Sequence, residues 1–252
     1  AAGASVLSDY IGMLFGFCCV FRVWQRMQLP QLKTLFSALG NHIGRFVALN
    51  RDIFLRSLCL QLAYSFMTFR GASFGDDVVA ANAILMSLVM VISYAMDGFA
   101  YAIEALVGNS VGSRDRALLF RSVIGAFFWS LLICILLTVV FACLGDYIIG
   151  FLTSIPTVQA KAMGYLPWLV AMPLASVWCY LLDGIFIGAT KGREMRNGMF
   201  VSVCAFFAVF YLFADWGNNA LWLAFICFSL VRALSLAVIA AHQWRKNIFL
   251  NP

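Results

Sequence analysis

Charged residues are scarce in this sequence. Asp, Glu, Lys and Arg make up 11% of it, where a soluble domain carries about 25%. Apolar residues fill 63% of the 252 positions, and the mean hydropathy is +0.93. A domain of this size still exposes roughly a quarter of its unfolded surface, so this much apolar surface has no place in water. The composition excludes a soluble enzyme, a disordered chain and a nucleic-acid-binding module. Lipid is the solvent for most of the chain.

Other shortages narrow the chemistry. Histidine occurs twice, and no CxxC is present, so no metal site is expected. The eight cysteines all sit in apolar stretches, which fits small buried apolar residues better than a disulfide framework. No Gly-rich P-loop precedes a Lys-Ser or Lys-Thr, so the chain carries no ATPase of its own. Lys33, Lys161, Lys191 and Lys246 lie in or beside loops, leaving no mid-membrane amine for a retinal Schiff base. No HExxH occurs, and hydrolysis inside the membrane lacks a visible catalytic core. Enzyme activity and a bound cofactor are not expected. Transport is the class left standing.

What is present is a series of seven apolar runs, at roughly 4–24, 52–70, 78–107, 118–145, 162–189, 197–214 and 219–241. They are too long for barrel strands, which alternate over about ten residues. An all-α polytopic membrane protein with seven transmembrane helices follows. Pro167 and Pro173 give the long fifth run a cause for a bend. The basic residues take one side when the runs alternate. Arg22, Arg26, Lys33, Arg45, Arg51, Arg56, Arg114, Arg116, Arg121, Lys191, Arg193, Arg196, Arg245 and Lys246 fall together, against Arg70 and Lys161 opposite. That bias puts the first residues outside and the last ones in the cytoplasm. The excess of base, net +6, is then loop bias rather than a sign of nucleic acid.

The segments divide as a leading helix (1–25), a cytoplasmic amphipathic linker (26–50), a six-helix lobe (51–245) and a short cytoplasmic tail (246–252). Leu32, Leu35, Phe36, Leu39, Ile43 and Phe46 recur at helical spacing in the linker, as in a helix lying on the membrane surface. An ordinary connector with a turn or two of helix is the alternative. The chain opens Ala-Ala-Gly-Ala, without an initiator Met or a basic n-region, so its first apolar run is not a signal peptide. It is expected to be the C-terminal part of something longer.

Charges inside the spans need a reason, because a carboxylate at bilayer depth costs about 2.5–3.5 kcal/mol on an insertion scale. Asp97 and Glu104 share a face of one helix with Tyr94 and Tyr101. Asp183 lies on another, near Tyr180 and Trp178, and Arg232 sits in the last helix. In one account the carboxylates line an aqueous cavity and exchange protons or cations. In the other, Arg232 pairs permanently with one or two of them and ties the bundle together. Glu104, one turn from the headgroups, is expected to snorkel. Asp52 and Arg56, an i,i+4 pair, are expected on the surface. Gln61, Asn82, Ser57 and Ser93 either bind substrate or bond between helices. Gly12-xxx-Gly16, Gly108-xxx-Gly112 and Gly184-xxx-Gly188 are close-contact patterns. The segments after the last two, VGNSVGSRDR and IGATKGREMR, look like one helix-end solution used twice.

The run VVAANAILMSLVMVISYAMDGFAYAIEALVGNSVGSRDRA (78–117) resembles the second helix of the C-terminal lobe in multidrug and toxic compound extrusion (MATE) transporters. YLLDGIFIGATKGREMRNG (180–198) resembles the tenth helix and following loop of their DinF branch. The resemblance extends over essentially the whole chain. It implies twelve helices in two six-helix lobes with a long connection after the sixth, of which helices six to twelve are here and a missing N-terminal lobe is a partner. It also implies efflux of small amphipathic organic compounds across the membrane lipids, coupled to H⁺ or Na⁺ entry by alternating access. Asp183 falls where the NorM branch has an acidic cation ligand. Gln61 stands nearest the acidic residue of that branch's seventh helix, a departure that weakens the case for Na⁺ in this lobe. The DinF branch's proton-coupling Asp, on its first helix, is outside this chain, and Asp97 replaces an apolar NorM position. The coupling candidates are thus Asp183, Asp97 and Glu104, with Arg232 as ion-pair candidate and Gln61, Asn82, Tyr94, Tyr101, Trp178 and Tyr180 as cavity candidates. The alternatives are a lipid or lipid-linked oligosaccharide flippase of the same superfamily, or a non-transporting membrane fragment.

Overall fold

The computed structural model describes residues 2–26 and 43–245. Seven long helices account for nearly all of them: α1 (Ala2–Arg26), α2 (Ile43–Ala72), α3 (Asp76–Gly112), α4 (Arg116–Leu152), α5 (Pro156–Gly188), α6 (Gly192–Leu212) and α7 (Asn218–Arg245), with a 3₁₀ turn at Ala214–Trp216. No strand occurs among the described residues. The chain is an all-α, multi-pass membrane protein. One compact unit ends at Val47, and a second begins at Ala48.

Six helices are long and apolar enough to cross a bilayer: α1 and α3 to α7. α2 falls short of that measure, because Arg51, Asp52 and Arg56 interrupt its apolar sequence. It also begins earlier than the second apolar run suggested. Ile43 to Asn50, taken above with the linker, continue into it without a break. Most of the proposed amphipathic segment, 27–42, lies outside the described residues. With 37 residues, α3 and α4 are each about 55 Å long at 1.5 Å per residue. That exceeds the ~30 Å hydrocarbon core, so each reaches into the headgroups or tilts. α5 stays helical through both Pro167 and Pro173.

In the second unit α5 is the hub. It packs against α3, α4 and α7, while α6 pairs with α7. Its C-terminal half is buried almost without a break from Ala175 to Phe186. α2 joins through side chains: Ala63 and Met67 are fully buried, and Phe66 meets Phe206, Phe207 and Phe210 edge-on at 5.0–5.8 Å. α4 is mostly exposed, as a lipid-facing helix should be.

The tightest contact is backbone on backbone. A Cβ on Gly184 would stand 2.5 Å from the Ala100 carbonyl oxygen, and one on Gly188 would stand 2.5 Å from that of Glu104. Glycine there lets α5 lie directly on α3, the use expected of small-xxx-small patterns. Among the described residues, a Cβ on Gly12, Gly16 or Gly112 would meet nothing within 4 Å, and one on Gly108 would stand 3.6 Å from the Gly188 carbonyl oxygen. The two similar helix ends share one geometry. Asp115 N–H donates to Ser110 O and Lys191 N–H to Phe186 O, closing matched caps around Arg114 and Thr190, each at φ 57°. A left-handed residue at that point is usually glycine, and a β-branched one is strained there.

Two outcomes follow for the full-length protein in detergent. Gly184→Ala and Gly188→Ala should each lower thermal stability by about 1–3 kcal/mol through overpacking, whereas Gly112→Ala should change it little. Thr190→Gly should raise it by about 1 kcal/mol, by releasing left-handed strain. Thermal unfolding curves check both.

Candidate functional site

Asp183 lies one residue before the Gly184 contact and is 3% exposed. Two arginines from other helices converge on its Oδ2. Arg56 of α2 donates through Nη2 at 2.7 Å, and Nη2 of Arg232, on α7, contacts the same oxygen. The guanidinium of Arg232 also stands 6.0 Å over the Tyr180 ring, one turn before Asp183. Tyr180 in turn hydrogen-bonds Ser93 of α3 at 2.6 Å. One buried network thus runs through α2, α3, α5 and α7. Burying such charges is expensive unless all are paired, and here two cations share one carboxylate.

The expected surface pair does not form. Asp52 is buried and is held by Arg196 of α6 at 2.7 Å and by Arg51 at 3.1 Å. Arg56, counted above with the loop charges, turns into the bundle instead. Helical spacing allowed the Asp52–Arg56 contact, but each side chain found a stronger partner on a neighbouring helix. The available signal for Arg56 was its place within an apolar run, Ile53-Phe54-Leu55-Arg56-Ser57-Leu58.

The remaining candidates are spread out. Asp97 is half-buried and makes no ion pair among the described residues, although it lies within electrostatic reach of Arg56 and Arg232. Tyr94 and Tyr101 are 73% and 68% exposed and flank Asp97 along an uncovered face of α3. Glu104 is half-buried, with its backbone under Gly188. Trp178 points away from the cluster and packs against Phe127 at 5.1 Å. Gln61 is exposed and reaches Ser65 at 3.5 Å. Asn82 exchanges hydrogen bonds of 2.7 and 2.9 Å with Asn218 and accepts a third from Trp222 Nε1 at 3.0 Å. Its side-chain oxygen and nitrogen are thereby engaged between α3 and α7. No group of three or more His, Cys, Asp or Glu could hold a metal ion among the described residues.

Two serines lie in the string Gly-x-Ser-x-Gly, at 71–75 and 108–112. Serine hydrolases place that pattern on a strand-to-helix elbow. Here Ser73 donates to Arg70 O and Ser110 to Leu106 O at helix ends, so neither is set up as a nucleophile.

The MatE family model matches residues 53–215, which hold most of this network. The chain belongs to the MatE family. DNA damage-inducible protein F of Escherichia coli (strain K12) is 44% identical over 248 residues, covering 98% of this chain and 54% of that protein. The MatE chain thus spans about half the length of its curated relative. Among solved structures, a MOP superfamily transporter from Pyrococcus furiosus Vc1 matches with TM-score 0.70 and 15% identity, over 77% of this chain and 43% of that one. A MATE in the bent conformation matches with the same score and identity, over 77% and 44%. At that identity the two structures speak for the fold alone. The MatE assignment agrees with the resemblance found at 78–117 and 180–198.

Removing one partner from the buried network leaves charge uncompensated. Asp183→Asn should destabilise the full-length protein by about 3–5 kcal/mol. Adding Arg56→Gln to that variant should restore a substantial part, since one stranded cation goes with it. Thermal unfolding of both variants checks the coupling.

Proposed function

We propose that this chain is the C-terminal part of a cation-coupled efflux antiporter, which exports small amphipathic organic compounds against entry of H⁺ or Na⁺ by alternating access. It acts as a transporter and not as an enzyme, in a bacterial inner membrane, with its last residues in the cytoplasm. Membership of the MatE family and the 44% identity to DNA damage-inducible protein F support the reading. Missing helices of the same protein would supply the other wall of the cavity.

The observation that carries the coupling assignment is the contrast between two carboxylates. Asp183 is engaged by two guanidiniums on one oxygen, so an entering cation must compete with both. Asp97 is half-buried and makes no ion pair among the described residues, on the edge of an open face bearing Tyr94 and Tyr101. A carboxylate in that position can take up and release a cation as the exposed face opens and closes. This contrast supports giving the exchange role to Asp97 rather than to Asp183. Asp183 becomes the anchor against which Arg56 and Arg232 are held, and Glu104 serves at most as an accessory acid. Tyr94 and Tyr101 offer aromatic faces to a cationic or bulky substrate.

A second reading is a lipid or lipid-linked oligosaccharide flippase of the same superfamily. It gains from Arg56, which adds a second interior cation suited to an anionic headgroup.

The test uses the full-length protein in vesicles, with a fluorescent cationic dye and an imposed pH or Na⁺ gradient. Gradient-driven dye movement should fall at least tenfold in Asp97→Asn, while thermal stability stays near that of the parent. Full activity in that variant rejects the exchange role of Asp97. Movement of a labelled anionic lipid without any gradient-driven dye transport would replace the antiporter by the flippase.

A further inference from the structure

Beside the ion cluster, α2, α3, α5 and α7 enclose a cavity of about 20 Å³. That is room for one particle about the size of a water or a small halide. Its polar wall consists of Arg232 and the hydroxyls of Tyr64, Ser93, Ser176, Tyr180 and Ser229, and no carboxylate lines it.

The donors facing this space can be counted off. Ser176 and Ser229 give their protons to the Pro173 and Phe225 carbonyls. Ser93 shares a hydrogen bond of 2.6 Å with Tyr180 and also meets the Tyr64 hydroxyl, so two hydrogen bonds among three hydroxyls use two of their protons and leave the third to donate elsewhere. Arg232 is 4% exposed, and its Nε has no hydrogen-bond partner. A buried guanidinium N–H in that state is rare and costly. The cavity therefore presents unspent donors beside a buried cation.

Charge decides what fits. Arg56 and Arg232 converge on the single oxygen Oδ2 of Asp183. The cluster carries one positive charge more than its contacting carboxylate neutralises; Asp97 lies within electrostatic reach of both arginines but pairs with neither among the described residues, so it offsets that excess only from outside the contact shell. A water would fill the space and leave that excess unchanged, whereas a monatomic anion fills it and neutralises it.

We infer that this cavity is a binding site for a single small inorganic anion of chloride size. The Nε–H of Arg232 and the spare hydroxyl proton of the Tyr64–Ser93–Tyr180 group hold the ion, which serves as counter-ion to the Arg56–Asp183–Arg232 cluster. The site goes beyond the transport reading and stands without it.

Thermal unfolding of the purified full-length protein, at fixed ionic strength with chloride exchanged for gluconate, tests the inference. Gluconate is too large for the cavity. Chloride and bromide should each give a saturable rise in Tm that gluconate does not. Tyr180→Phe keeps the ring under Arg232 and removes a hydroxyl, and it should raise the half-saturating chloride concentration at least fivefold. Ser93→Ala should do the same and serves if the first variant does not fold. Ser229→Ala, whose hydroxyl is committed to its own helix, should leave the half-saturating concentration unchanged. Equal stability in chloride and gluconate, or unchanged half-saturation in both Tyr180→Phe and Ser93→Ala, overturns the inference. In crystals soaked in bromide, an anomalous peak beside Arg232 Nε supports it, and a water there at saturating bromide overturns it.

Discussion

The carboxylate of Asp183 has to satisfy two guanidiniums at once, and that demand shapes the interior of the helical unit. Asp183 can reach Arg56 and Arg232 only because α2, α5 and α7 approach one another at its level. Each partner alone would be a buried, unmatched charge, which is far more costly than the assembled set. The hydrophobic effect provides little driving force between helices in lipid. Polar anchors and close packing must therefore select the arrangement. The Asp52–Arg196 pair between α2 and α6 and the Asn82–Asn218–Trp222 set between α3 and α7 do the same at other points of the bundle.

The close crossing of α3 and α5 complements the ionic anchor. Gly184 and Gly188 remove the side chains that would keep the two backbones apart. Asp183 is the neighbour of Gly184, so the same contact that joins the helices also draws the acid into the interior. α3 then offers an adjoining margin, with Asp97 between Tyr94 and Tyr101, as an open surface. An interior with two cations on one acid thus stands next to a face whose acid makes no ion pair among the described residues.

Much of the architecture was legible in the sequence. Apolar runs of spanning length, with charges gathered at their ends, permit few solutions besides a helical bundle, because every backbone polar group must be satisfied inside the lipid. The matched endings at Gly112-Ser113-Arg114-Asp115 and Gly188-Ala189-Thr190-Lys191 could be seen as one solution, since local hydrogen bonding sets a helix cap. Of the close-contact patterns, Gly184-xxx-Gly188 alone makes a tight crossing on both residues among the described residues. Spacing marks which residues share a face, but not which face finds a partner.

Partnership among the polar side chains was decided by the tertiary structure. The sequence placed Asp183 and Arg232 inside the spans, and its apolar and basic patterning determined the helical class. It paired Arg56 with Asp52 because they are four residues apart. The fold separates them, since interhelical contacts 127 and 144 residues apart in the chain replace the local one. It likewise engages Asn82, exposes Gln61 and turns Trp178 onto α4. Local periodicity encodes which helices form and how they end. The meeting of three helices at one carboxylate depends on packing across the whole unit, and no short stretch of sequence contains it.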